Sequence, residues 1–481
     1  MKRKNSFISN PNFYILAVIG IIVLRLFLNG FIPLMDKTEA RYAEIARIMV
    51  ETNNWITPQI DYGVPFWAKP PLSTWVSTLS MKAFGVNEFA VRFPYLLFCI
   101  AMVILVGQFA KEKKLPFFLS GFILLSLPEF LLHAGVVSTD TALCFFITLA
   151  MLSFWKAIHL EKISGWSYLF FVALGFGLLS KGPIVVILTI PPIVLWTFFF
   201  KEYRNVLKKF PWILGSIISL VIAVPWYYLA ELKTKGFIDY FIIGEHFKRF
   251  FDASWKGDKY GFPKKQPLGI IWLFLFAFAL PWIQLVAAKS WKFRKGLSQN
   301  KWLVFLLLWL IWTPLFFTVS RSLIHTYTLP VMIPIALLAL HFWESIKNKK
   351  RMVLISLILP FLAIITTIVA LTDNNLEKYS NTDKYLIQEQ LKNNDLDLFY
   401  LGRKSYSSQF YSKGHMKSIT PAELKEKLKH NKAFNIIIPH KRLKIVDPSD
   451  CSKMQILKSN SKKDAYVFRP NSSPSIPAYK E

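Results

Sequence analysis

The chain has 481 residues, 53% hydrophobic and 16% aromatic, with 18% charged and a formal net charge of +29. It is too apolar for an ordinary soluble domain, where about a quarter of the residues are charged. A nucleic-acid binder is excluded too, because Lys and Arg fall in short loops between apolar runs rather than on one folded polar face.

The apolar residues gather in runs of roughly 20, the length a helix needs to cross about 30 Å of hydrocarbon. Their continuity predicts helices and not the alternating segments of a barrel. In chain order they are 13–34, 93–110, 115–133, 141–158, 166–180, 183–200, 211–230, 268–288, 302–319, 328–344 and 352–372. The first is too long for a cleavable leader's core and lacks a small-residue cleavage site, so it reads as a retained span. With Lys2, Arg3 and Lys4 in the cytoplasm, the inner loops are 111–114, 156–165, 201–210, 289–301 and 345–351. Their charges are Lys and Arg apart from Glu112, Glu161 and Glu202, as the positive-inside rule requires. Cys99, Cys144 and Cys451 cannot make a disulfide framework and read as structural residues.

The other side receives 35–92, 134–140, the Lys181-Gly182 turn, 231–267, 320–327 and the tail 373–481. In the first of these, Tyr42, Ile45, Ala46 and Met49 recur at helical spacing. Arg41, Glu44, Arg47 and Glu51 take the opposite side, which predicts an amphipathic helix over Glu39–Val50 lying in the membrane interface. A second such segment is expected at Leu72–Phe84. The tail alternates polar stretches with strand-like runs Leu396–Leu401, Phe434–Ile438 and Ala465–Phe468, with a helix over Pro421–His430. The reading is an all-α polytopic membrane domain over 1–372, followed by a small α/β extracytoplasmic domain over 373–481 with a disordered Pro/Ser end. No internal repeat is evident, which weakens a transporter built from duplicated halves.

Polar groups collect at the outer ends of the spans: Asp36, Glu39, Arg41, Lys69, Asp140, Lys181, Arg249, Arg321 and Tyr327. Singly, such residues more often snorkel than catalyse. Together they suit a lipid-linked phosphate sugar, whose phosphate sits at headgroup depth. Cations there stabilise the charge that grows as the glycosidic bond breaks. A facing carboxylate can take a proton from a hydroxyl acceptor, or steer an amine or phosphate. His246 beside Glu245 offers two ligands to a divalent metal, short of a third. A flippase for a lipid-linked sugar is the alternative, but it calls for charges in mid-membrane, whereas these lie at the span ends.

The stretch Asp36-Lys37-Thr38-Glu39-Ala40-Arg41-Tyr42-Ala43-Glu44-Ile45-Ala46-Arg47, then Gly63-Val64-Pro65-Phe66-Trp67-Ala68-Lys69-Pro70-Pro71-Leu72, resembles the first periplasmic loop of bacterial lipid A aminoarabinose transferases. These belong with the protein O-mannosyltransferases in the GT-C class, glycosyltransferase families 83 and 39. The likeness continues through Ser138-Thr139-Asp140, Ser180-Lys181-Gly182-Pro183, Glu245-His246-Phe247-Lys248-Arg249-Phe250, and Ser320-Arg321-Ser322 to Tyr327-Thr328-Leu329-Pro330.

The resemblance implies a GT-C enzyme of the bacterial inner membrane with its site and C-terminal domain in the periplasm. It implies an undecaprenyl-phosphate sugar donor, inversion at the anomeric carbon, and lipid A or another envelope glycan as acceptor. Lys69, Arg249 and Tyr327 would bind the carrier phosphate, with Asp140 a second active-site acid and Lys181 and Arg41 lining the same cavity. Two positions depart from the pattern. Thr38 stands where many members have Asp, leaving Asp36 or Glu39 for that role. Ala68 stands where many have Glu near the sugar, so aminoarabinose, another amino sugar and a neutral hexose all remain open.

Overall fold

The computed structural model describes residues 10–470 except 161, 253, 262–264, 373–374, 393–395 and 431. Lys2, Arg3, Lys4, Glu161 and the Pro/Ser end after 470 lie outside the described residues. The chain divides into two compact units: Met1–Gly30 with Thr52–Leu362, and Phe31–Glu51 with Ala363–Glu481.

The first unit is helical. Pro11–Phe31, Glu88–Glu112, Thr139–Ile158, Trp212–Lys233 and Lys349–Ala370 are each long and apolar enough to cross a membrane alone. Exposed Ile213, Val221, Phe361 and Ile368 on the last two give them the outward apolar surface that lipid covers. The remaining apolar runs also fold as helices, but shorter or broken ones. Run 115–133 splits into Phe117–Leu125 and Pro128–His133, where Pro128 lacks the N–H a continuous helix needs. The expected span 268–288 is corrected to two helices, Ile270–Phe278 and Trp282–Lys292, bent by 105°. Proline at 281 breaks the hydrogen-bond ladder there. The first half packs on the turn His325–Val331 and the second on Met332–His341, so the bent pair still follows its neighbour from end to end.

Small residues bring these helices close, as lipid-embedded packing demands. A Cβ added at Gly215 would fall 2.1 Å from the Phe171 ring, between helices Gly165–Lys181 and Trp212–Lys233. Gly215→Val is expected to cost about 1–3 kcal/mol, read as a lower thermal midpoint of the detergent-purified protein. An unchanged midpoint would show that the two helices can part freely.

The second unit carries a five-stranded sheet in the order Lys417–Ile419, Asp397–Leu401, Phe434–Pro439, Lys463–Phe468, Gln455–Ser459. The first two pairings are parallel and the last two antiparallel. Helix Pro421–Lys429 carries the chain from Lys417–Ile419 across Asp397–Leu401 to Phe434–Pro439, a crossover that keeps the three strands parallel. It begins with a capping box, Thr420 and Glu423 each bonding the other's backbone N–H.

The division differs from the expected 372/373 boundary in two respects: the second unit begins at Ala363, and Phe31–Glu51 joins it. Asp36 N donates to Asn381 O at 2.8 Å, Asn381 Nδ2 to Asp36 O at 2.7 Å, and Leu34 N to the Tyr411 hydroxyl at 2.8 Å. The predicted helix here runs Thr38–Thr52, but two of its polar positions, Glu44 and Arg47, do not face solvent. Glu44 and Arg47 are 1% and 0% exposed and bond each other at 2.6 and 2.7 Å. The second predicted helix forms as Leu72–Phe84.

Candidate active site

A cavity of about 240 Å³ opens in the first unit. Lys69, Lys181, Glu245, His246, Arg249 and Tyr327 supply its charged and polar wall, and Ile184, Ile187, Phe250, Phe316 and Phe317 its apolar one. Four separated pieces of sequence build the polar side. Lys69 precedes helix Leu72–Phe84. Lys181 ends helix Gly165–Lys181, where Gly182, at φ +80°, turns the chain. Glu245, His246 and Arg249 come from a π-helical turn, Asp239–Lys248, and its continuation. Tyr327 sits in the 3-10 turn His325–Val331. The wide i→i+5 spacing of a π-helix is rare and recurs at functional sites.

Glu245 is the centre of this wall, with a side chain 3% exposed. It receives Lys69 Nζ at 3.1 Å and Arg249 Nη1 at 3.1 and 2.9 Å, and the Tyr240 hydroxyl donates to it at 3.3 Å. Arg249 Nε lies 3.4 Å from Asp258. Burial works against the Glu245 charge, yet Lys69 and Arg249 outweigh it and hold the carboxyl below its usual range. The Glu245 carboxyl therefore favours its ionised form. One carboxylate thus fixes two cations side by side, a function the sequence reading did not give it. The Glu245→Arg249 spacing of four residues was the available signal.

Lys69 also donates to Ala68 O at 2.6 Å, so two of its three N–H groups are engaged among the described residues. The Tyr327 ring carries the Lys181 ammonium 4.3 Å from its centroid and packs on Phe317 at 4.9 Å. Lys181 is ion-paired with Asp140, which follows helix N-cap Ser138 and accepts from that hydroxyl at 3.4 Å. Lys69, Arg249, Lys181 and Tyr327 all line the cavity, and Asp140 stands behind Lys181 as its ion-pair partner. Arg321 is exposed; its neighbours Ser320 and Ser322 line the cavity and it does not.

His246, the suggested metal ligand, has Nδ1 2.8 Å from Phe241 O and Nε2 3.3 Å from Lys181 O. Burial, joined by nearby Lys69, lowers its pKa and favours the neutral ring. Among the described residues no three His, Cys, Asp or Glu side chains come together as a metal-ligand set.

Asp36, Glu39 and Arg41 belong to the second unit. The Asp36 carboxylate accepts from Ser407 N at 3.0 Å and from the Ser407 hydroxyl. Burial and the neighbouring Asp383 charge raise its pKa. Glu39 stands in the first turn of its helix and accepts from Met35 N at 3.3 Å. The Arg41 guanidinium lies 5.3 Å from the Tyr42 ring centroid.

The helical bundle with its long apolar helices, its broken helices and the small sheet define a multi-pass helical membrane protein. Within that class the chain resembles the aminoarabinose transferases. A family model for dolichyl-phosphate-mannose-protein mannosyltransferases matches residues 15–241. The undecaprenyl phosphate-alpha-4-amino-4-deoxy-L-arabinose arabinosyl transferase of Erwinia tasmaniensis is 30% identical over 321 residues, 64% of this chain and 55% of that protein. The protein of the same name from Wigglesworthia glossinidia brevipalpis is 29% identical over 384 residues, 77% of this chain and 65% of its own length. The chain thus spans less than two thirds of either relative. The fold is that of ArnT from Cupriavidus metallidurans, solved bound to undecaprenyl phosphate: TM-score 0.76 at 16% identity, over 97% of this chain and 99% of that one.

Proposed function

We propose that this protein is an inverting glycosyltransferase. It takes a sugar from a polyprenyl phosphate, of the undecaprenyl kind, and passes it to lipid A or another envelope glycan. The observation that carries the reading is the pairing of Lys69 and Arg249 through Glu245 beside an apolar wall, in a fold shared with a protein that binds undecaprenyl phosphate. The excess of Lys and Arg in the expected inner loops supports an N-terminus in the cytoplasm and this cavity on the periplasmic side.

Lys69, Arg249 and the Tyr327 hydroxyl would hold the carrier phosphate, and Phe250, Phe316, Ile184 and Ile187 the first prenyl units. An acceptor oxygen attacks the anomeric carbon from the face opposite the phosphate. The carbon–oxygen bond breaks and its electron pair leaves on the phosphate, where the cations stabilise the added charge. If the acceptor is a hydroxyl, its proton passes to a carboxylate; a phosphate acceptor arrives already ionised. Asp36, Glu39 and Asp140 are the acids proposed for that work.

The test is release of polyprenyl phosphate by the purified full chain, supplied with a panel of undecaprenyl-phosphate sugars and lipid A. Sugar transfer with carrier release is expected. A chain that moved the donor across a vesicle without cleaving it would sink the reading. In the same assay Asp36→Asn, Glu39→Gln and Asp140→Asn separate the acids. One of the three is expected to lose about 100-fold or more, and indifference to all three would remove carboxylate catalysis.

A further inference from the structure

Helix Lys301–Phe317 joins two different concavities. Phe316 and Phe317 at its end line the cavity described above, while Asn300 and Leu303 at its start line another of about 590 Å³. At 1.5 Å per residue the two lie about 20 Å apart along the helix, so the second is a separate site.

Its rim is basic. Lys292 ends helix Trp282–Lys292, Arg294 and Lys295 follow in the short helical turn Arg294–Leu297, and Glu344 sits in the 3-10 turn Trp343–Ser345. Glu344 is already bound to Lys349 at 2.8 Å. None of Lys292, Arg294 and Lys295 has a carboxylate partner among the described residues. The walls are fixed by contacts of their own. Phe293 stacks on Phe342 with centroids 6.0 Å apart, Lys289 donates to Ser345 O, and Lys113 Nζ lies 3.1 Å from His341 Nδ1. Trp291 is 72% exposed, with the Arg294 guanidinium 4.8 Å from its ring. An exposed Trp beside cations, where apolar helices end, suits the headgroup layer of a bilayer and not bulk water.

We propose that this cavity binds the phosphate headgroup of an anionic phospholipid, held by Lys292, Arg294 and Lys295. Cations scattered on a convex loop attract acidic lipid only diffusely. A concavity with three donors can hold one headgroup, as basic pockets between membrane helices do, with the guanidinium bonding two phosphate oxygens. The site is independent of the proposed transfer chemistry, so its failure leaves that reading untouched.

The test uses the full chain in detergent, with phosphatidylglycerol, phosphatidylcholine or inorganic phosphate added, read by thermal midpoint and by lipid retained in native mass spectrometry. Phosphatidylglycerol is expected to raise the midpoint and remain bound, with phosphatidylcholine and millimolar inorganic phosphate inert. The variant Lys292→Gln/Arg294→Gln/Lys295→Gln should lose about tenfold or more in retention, with its midpoint in phosphatidylcholine unchanged. Because a triple change could fold poorly, Lys295→Gln alone is run beside it and should weaken retention several-fold. Equal binding of phosphatidylcholine, or full retention in both variants, overturns the proposal. An equal response to inorganic phosphate overturns it in favour of a soluble anion.

Discussion

Replacing Lys69 or Arg249 by Ala is expected to lower transfer by about 100- to 1000-fold, the usual loss when one preorganised donor to a developing negative charge is removed. The carrier phosphate gains charge only as the bond to the sugar breaks. The loss should therefore fall mainly on kcat, with the donor's KM changed less. Folding should survive, because Glu245 keeps a counter-charge in either single variant: Arg249 at 2.9 Å when Lys69 is gone, Lys69 at 3.1 Å when Arg249 is gone. The check is steady-state release of polyprenyl phosphate beside the thermal midpoint of each variant. Wild-type turnover in both would remove the phosphate site.

Glu245→Gln probes the same wall from behind. The amide keeps one acceptor oxygen but drops the charge that holds two cations at a set separation. A displacement near 1 Å at reacting groups can cost about 100-fold, so an intermediate fall, about tenfold to 100-fold in kcat, is expected. A variant as fast as the parent would reduce Glu245 to a bystander.

Much of this organisation was legible in the sequence, because bilayer thickness and side-chain periodicity are local constraints. The apolar runs, the helix at Leu72–Phe84 and the central strands Asp397–Leu401, Phe434–Pro439 and Lys463–Phe468 follow from them. The strands that escaped notice, Lys417–Ile419 and Gln455–Ser459, are the two edges of the sheet, short or polar where no neighbour covers them. The 105° bend near Pro281 escaped because hydropathy reports length and not direction. At the site, the motifs named Lys69, Lys181, Arg249 and Tyr327 but not what orients them. Glu245 meets Lys69 across 176 residues of chain, a pairing no local pattern encodes.

Arg47→Leu should have the largest effect on stability, about 3–5 kcal/mol, because it strands a buried carboxylate. The Arg47 and Glu44 side chains are each 1% exposed, and Glu51, which also pairs with Arg47, is 42% exposed and can turn to water. Burial already lifts the Glu44 carboxyl to about 7, with Arg47 pulling it down; losing Arg47 lifts it further. A carboxyl whose folded pKa is raised adds stability that is present below its unfolded value and lost as pH rises through the folded one. The variant's deficit should therefore be small near pH 4 and grow through neutrality, read as thermal midpoints across pH or as faster hydrogen exchange over Thr38–Thr52. Glu44→Leu added to Arg47→Leu removes the stranded charge and should restore most of the loss, since a buried ion pair can often be exchanged for apolar packing at little cost. If the double variant were no more stable than Arg47→Leu alone, the penalty would come from lost packing around the guanidinium stem and not from an uncompensated charge.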